Sequence, residues 1–330
     1  MSYGRLYRAT CLWILVLSGV VLSSCAPGSP EKEGNTKATS LVKIAINPVP
    51  QVALVIVAVQ NHYFQDEGIE AHISKFTTGK LAFDAVLGGA ADIATVADTP
   101  IMYAAMSGQT PAVVATIERS GRSIKLLARK DEGVNAPEDL RAKKIGTFKA
   151  SSAEFFLDRF LAKHQVPLDQ VTIVQLQPTD LVPAILRGDL AAISIWEPNI
   201  YVAKRALGAR AIVFEDPAIY TEVVNMACSE AYLKGHGAEI RAVIKALRKA
   251  EVFIRASPKA ALATIASFTA MDQTTLESIW PAFDLSLGLD QSLPALLRSE
   301  AEFAIANGTL PATARYPDFA VYLHRDFLEP

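Results

Sequence analysis

The chain has 330 residues, 51% of them hydrophobic and 20% charged, with a formal net charge of −2. That balance suits a soluble globular protein long enough to bury two cores, and it offers no basic stripe for nucleic acid. With only Cys11, Cys25 and Cys228 available, a disulfide-stapled scaffold is excluded as the basis of the fold.

At the start of the chain, Arg5 and Arg8 precede an apolar run from Leu12 to Leu22, and no acidic residue occurs among the first 30. A positive beginning, a short apolar stretch and small residues at a cut read as a secretory signal. The run of about 11 residues is too short for a bilayer core that needs about 20. Leu22-Ser23-Ser24-Cys25 resembles the lipobox of bacterial lipoproteins, which implies that Cys25 carries lipid and becomes the mature N-terminus. Segment 1–24 is then a signal peptide, and segment 25–40, rich in Gly, Ser, Pro, Glu and Lys, is a flexible tether. Removal of the signal, with Arg5 and Arg8, takes the net charge to −4, and with Cys25 lipidated Cys228 has no intramolecular partner.

From Leu41 onward, short apolar runs alternate with amphipathic ones. The pattern predicts strands over 42–46, 70–76, 92–96, 112–117 and 124–128, with helices over 52–63, 81–88 and 100–107. A second series follows, with strands over 144–146, 171–175, 191–195 and 211–214 and helices over 152–163, 180–187 and 199–206. A strand over 222–228 then leads into helices over 238–255, 258–266, 273–280 and 294–307, the third opened by a capping signature at Asp272. Strand–helix alternation with short connections implies parallel α/β sheets covered on both faces. The expected domains are 41–130 plus 226–330 for the first lobe and its helical tail, and 131–225 for the second. Chain crossings at about 129–131 and 222–229 would serve as a hinge.

Ligands in open α/β sheets lie beyond the carboxyl ends of the strands, which directs attention to the loops there. These are Asn47-Pro48-Val49-Pro50-Gln51, Thr77-Thr78-Gly79-Lys80, Ala97-Asp98-Thr99-Pro100, Phe148-Lys149-Ala150-Ser151-Ser152, Pro178-Thr179-Asp180 and Trp196-Glu197-Pro198-Asn199. Several open a helix, and helix starts converging on one cleft favour an anionic group. Asp98 and Glu197 would suit an amine, whereas Lys80, Arg119 and Lys149 would suit an acid, so the ligand's charge stays open at this level.

A resemblance sharpens the picture. The residues that carry it are Asn61-His62-Tyr63-Phe64 with Glu67-Gly68-Ile69, Thr78-Gly79, Leu87-Gly88, Ala91-Asp92-Ile93-Ala94 and Asp98-Thr99-Pro100. Ser151 to Leu157, Leu186-Arg187-Gly188-Asp189 and Trp196-Glu197-Pro198 complete the series, over about 41–232. In order and spacing the chain resembles periplasmic solute-binding proteins for aliphatic sulfonates, nitrate and taurine, which share a fold with thiamine-precursor-binding relatives. His62 stands where that family usually has glycine, and Lys149-Ala150 where a glycine often precedes the serine pair. The resemblance implies a two-lobed periplasmic binding protein fold of type II, a monomer without cofactor or metal, lipid-anchored at the extracytoplasmic face. It also implies an ABC permease with its ATPase as partner, or a signalling receptor. The ligand-binding residues it nominates are Pro50, Gln51, Thr78, Gly79, Asp98, Thr99, Ser151, Ser152, Trp196 and Glu197.

Enzymatic readings have less to stand on. Thr78-Gly79-Lys80 lacks the upstream glycine of a phosphate-binding loop, and the five histidines show no close metal-ligand spacing. Cys228 could act as a nucleophile, as in sulfinate-cleaving enzymes that share this fold, but a cysteine in the apolar run 223–228 reads as buried and inert.

Overall fold

The computed structural model describes residues 39–328, so the signal segment, Cys25 and nearly all of the tether lie outside the described residues. In chain order the first elements are β1 (Ser40–Ile46), α1 (Ala53–Gln60), α2 (Tyr63–Asp66), β2 (Ile69–Lys75), α3 (Gly79–Leu87), β3 (Ile93–Ala97), α4 (Asp98–Met106) and β4 (Pro111–Ser120). Then come β5 (Ile124–Arg129), β6 (Lys144–Thr147), α5 (Ser152–Lys163), β7 (Thr172–Gln175), α6 (Pro178–Arg187), β8 (Ala192–Trp196), α7 (Asn199–Leu207) and β9 (Ala211–Phe214). The chain returns through β10 (Glu222–Ser229) and ends in α8 (Glu230–Gly235), α9 (Gly237–Ala256), α10 (Pro258–Thr269), α11 (Gln273–Ile279) and α12 (Leu293–Ala306).

These strands form two five-stranded sheets, in the orders β2-β1-β3-β10-β4 and β7-β6-β8-β5-β9. The sheets are mixed rather than wholly parallel. In the first, β10 runs antiparallel to both β3 and β4; in the second, β5 runs antiparallel to both β8 and β9. The reason is topological: β5 and β10 are the strands that enter a sheet directly from the other one, without a crossover helix to reverse them.

The same fact places the passages between the sheets. β5 belongs to the second sheet, so the chain passes between them at 121–123 and 215–221, a few residues before the 129–131 and 222–229 expected from the pattern. The two passages run side by side: a Cβ at Gly121 would stand 3.0 Å from the Pro217 Cβ, a crowded contact that glycine relieves.

Core packing explains the apolar runs. Along β1, Ile44 and Ile46 face one cluster while Ala45 faces another, as expected of a strand covered on both faces. α1 is apolar all round, and Ala53 to Ala58 are all buried beneath α9 and α10. α9 presents Ile240, Val243, Ile244, Leu247 and Ile254 inward at helical spacing. The opposite face of the first sheet packs against α3, α4 and α12 through Phe83, Ile101, Met102 and Leu297. A separate cluster under the second sheet gathers Phe156, Phe160, Leu181, Ile185 and Ile200.

Two helix boundaries differ from expectation for local reasons. The helix expected over 52–63 breaks at His62, which sits at φ 60°, so α2 begins as a separate turn. α4 begins at Asp98, which places Pro100 third rather than first. Among the described residues, no helix is long and apolar enough to cross a membrane.

Candidate functional site

The carboxyl ends of β1, β3, β6 and β8 meet around a cavity open to solvent, with about 520 Å³ of empty space including its mouth. Its first-sheet wall includes Gln51 and Val52 after β1, Thr78, Gly79 and Lys80 at the start of α3, and Thr95 to Ala97 on β3. Its second-sheet wall is Phe148, Ser151, Ser152 and Trp196, and β10 closes the floor with Glu222 and Val224.

Local chemistry explains each wall. Thr78 caps α3 by accepting the Leu81 N–H at 3.1 Å, which holds the helix start at the strand end. Gly79 suits that position because a Cβ would stand 3.3 Å from the Thr95 carbonyl oxygen, a tight contact that a bare backbone avoids where α3 meets β3. On the other side, Ser151 accepts the Glu154 N–H at 3.4 Å and donates to the Phe148 carbonyl at 2.6 Å, while Glu154 accepts the Ala150 N–H at 2.7 Å. That reciprocal start forces Ala150 to φ 54°, a left-handed conformation. Phe148 and Trp196 meet edge to face at 6.5 Å and form an apolar shelf.

Gln51 spans the cleft, its Nε2 donating to the Glu197 carbonyl at 3.3 Å. The Oε1 of Gln51 and the Oγ1 of Thr95 are buried and find no hydrogen-bond partner among the described residues. Two buried polar atoms in one cavity wall are a standing demand for a partner.

Of the ten nominated residues, Gln51, Thr78, Gly79, Ser151, Ser152 and Trp196 line the cavity. Pro50 begins the 3-10 turn that presents Gln51, and Asp98, Thr99 and Glu197 lie behind the wall with their side chains occupied. Asp98 accepts N–H donors from Thr99 at 2.7 Å and Val223 at 2.9 Å, together with the Tyr220 hydroxyl. Thr99 donates to Glu300 at 2.6 Å. Glu197 pairs with Lys125 at 2.9 Å and accepts the Tyr201 N–H at 2.9 Å, opening α7. Of the three weighed cations, Lys80 lines the cavity with its ammonium 2.7 Å from Asp84. Arg119 pairs with Asp290 at 2.8 Å, and Lys149 is exposed.

Sequence reasoning missed Thr95 and Glu222. Both are polar residues within runs that otherwise read as apolar strand, and that exception was the available signal. Glu222 is only 4% exposed and accepts hydroxyl donors from Ser152 at 2.6 Å and Ser123 at 2.7 Å. Burial raises its proton affinity, which those two hydrogen bonds partly oppose. Behind it lies a buried acidic group. Burial first and the charge of Glu222 second push Asp98 up to about 7. Glu300 and Glu118 are raised well above the usual carboxyl range, again by burial first. Neither oxygen of Glu118 has a hydrogen-bond partner among the described residues.

Cys228 lies in the core beneath the first sheet, fully buried and outside the cavity lining, and burial pushes its thiol up to about 12. Such a thiol is not a nucleophile at neutral pH. Among the described residues, no group of three or more His, Cys, Asp or Glu is placed to hold a metal ion.

Two mixed α/β sheets, joined by paired crossings around a cavity at their strand ends, define the periplasmic binding protein fold. The chain belongs to the NMT1/THI5-like family, whose model matches residues 49–261. The taurine-binding periplasmic protein of Escherichia coli is 29% identical over 141 residues, covering 42% of this chain and 43% of that protein. The alkanesulfonate-binding protein of Xanthomonas axonopodis pv. citri, solved with MOPS bound, aligns with a TM-score of 0.76 at 19% identity, covering 87% of this chain and 99% of its own. The periplasmic aliphatic sulphonate-binding protein of Escherichia coli aligns with a TM-score of 0.74 at 18% identity, covering 88% and 99%.

Proposed function

We propose that this protein is an extracytoplasmic receptor of an ABC importer, held to the membrane by lipid on Cys25, which captures a small organic anion or zwitterion. The single observation that carries the reading is the cavity: the first turns of α3 and α5 open into it beside two buried, unpartnered polar atoms. Helix starts carry spare amide donors and a partial positive charge, and so can hold an anionic head without an arginine. Trp196 and Phe148 give an organic body somewhere to lie, which also favours a flat heterocycle such as a pyrimidine precursor as a second reading. Capture closes the lobes by bending at 121–123 and 215–221, and the closed form is what the permease recognises. The relatives named for taurine and alkanesulfonates support this solute class.

Thermal-shift measurements with taurine, ethanesulfonate, MOPS, nitrate and 4-aminopyrimidine test the reading. A solute that binds only the folded state stabilises it by about 2.7 kcal/mol at a hundredfold excess over Kd. At least one organic solute is expected to raise Tm, and none doing so overturns the proposal. Cys25→Ser is expected to release the protein from the membrane fraction.

A further inference from the structure

The cavity has a polar floor that an anion site does not need. Its two charged lining groups are Lys80, whose ammonium is already 2.7 Å from Asp84, and Glu222, which forms no ion pair among the described residues. Glu222 is 4% exposed, and its two serine donors occupy one lone pair on each carboxylate oxygen. A carboxylate offers about four such positions, so acceptor capacity remains on the side that faces the cavity. The Oε1 of Gln51 adds a second buried acceptor with no partner. A buried anion left without an opposite charge is costly, and the charged neighbours behind Glu222 are acids rather than bases. The missing component is a hydrogen-bond donor, preferably a cationic one.

We infer that Glu222 selects the solute by receiving an ammonium or amino N–H from it, so that the receptor prefers aminated solutes to matched compounds lacking the amine. The inference rests on the receptor reading above and narrows its solute class. It also assigns Glu222 a part in closure. The carboxyl accepts from Ser123 in one crossing and from Ser152 at the first turn of α5, while its own backbone begins β10 at the end of the other crossing. A solute seated on Glu222 thus touches a group bonded to both crossings and to the second lobe, so its amine is sensed where the hinge bends.

The test uses three matched pairs, taurine with ethanesulfonate, β-alanine with propionate, and 4-aminopyrimidine with pyrimidine, on the mature protein by calorimetry. The wild type is expected to bind the aminated member of at least one pair roughly tenfold more tightly, the scale of one charge-assisted hydrogen bond. Glu222→Gln should abolish that preference, whatever it does to the affinity that both members of a pair share. Glu222→Asp, which keeps the charge, should retain part of it, and Glu118→Gln, behind the wall, should retain all of it. Equal binding within every pair by the wild type overturns the inference and leaves the receptor reading standing, a result that needs no variant to fold. A preference that survives in Glu222→Gln assigns selection elsewhere and overturns it too. No binding by any member removes the solute class itself and the inference with it.

Discussion

The half of the cleft built on the first sheet offers polar groups, Gln51, Thr78, Lys80, Thr95 and the carboxyl of Glu222, whereas the half built on the second offers an aromatic shelf and a pair of serines. The difference follows from what each half must bury. The first sheet contributes Thr95 from β3 and Glu222 from the start of β10, and the loops beyond its strand ends add Gln51, Thr78 and Lys80, while its apolar residues are covered by helices on both faces. The second half meets the cavity through Phe148 and Trp196, which belong to its own core cluster and extend it to the surface of the cleft. On the proposed reading, recognition of polar groups lies with the first half and the crossings, while the apolar body of a solute rests on the second half.

Truncation on the two sides should separate these roles. Trp196→Ala removes the shelf and a large part of a core side chain, so it should cost about 3 kcal/mol of stability and weaken every organic solute by more than about tenfold. Thr95→Val, opposite, removes a buried hydroxyl with no partner; it should leave the unliganded protein as stable or more so, yet weaken solute binding by about fivefold. Denaturant unfolding together with calorimetry reads both. Equal losses of stability from the two changes would erase the distinction between the halves.

The buried carboxyls sharpen the comparison through pH. Asp98, behind the first-sheet wall, and Asp158, on α5 with Asn307 donating to it at 2.8 Å, are each raised to about 7 by burial first. A carboxyl whose folded pKa exceeds its unfolded value near 4 stabilises the fold fully below that value and loses its contribution as pH rises toward 7. Tm should therefore fall between pH 5 and pH 8, while the lowered carboxyls Asp131, Asp139, Asp216 and Asp272 withdraw their support below about pH 4. Glu118→Gln should flatten the upper limb, with a gain that grows from pH 5 to pH 8, because the neutral amide has no charge to desolvate. A flat wild-type profile across that range would refute this account.

The smallest expected effects concern backbone conformation. His62, in the first half, and Ala150, beside the cleft in the second, both occupy φ near +60°, a region that favours glycine. Replacing either by glycine should stabilise the protein by about 0.5–1 kcal/mol, the relief of left-handed strain less the entropy glycine loses on folding. Chemical denaturation would show it, and a loss of stability at either position would mean that its side chain contributes more than the strain costs.

Much of the architecture was legible in the chain. The strand positions, the helical tail and the cap at Asp272 follow from local patterns, because hydrophobic period and first-turn hydrogen bonds are local physics. The expected ligand loops reached the cavity at six of ten positions, since strand ends and helix starts are where the chain turns toward a cleft. Asp98 and Glu197 have the residue types of ligand groups, but their partners, Tyr220, Val223 and Lys125, lie far away in sequence. No local pattern distinguishes a carboxylate that awaits a solute from one already bonded across the fold.

By itself the sequence determined an α/β protein in two series, the helix starts that frame a cleft, and a buried setting for Cys228. Only the tertiary structure decided that β5 and β10 exchange between sheets and that Glu222 faces the cavity while Asp98 does not. The physical reason is separation along the chain. Periodicity and capping act within a few residues, whereas strand exchange, burial and the pairing of charges depend on groups brought together from more than a hundred residues apart.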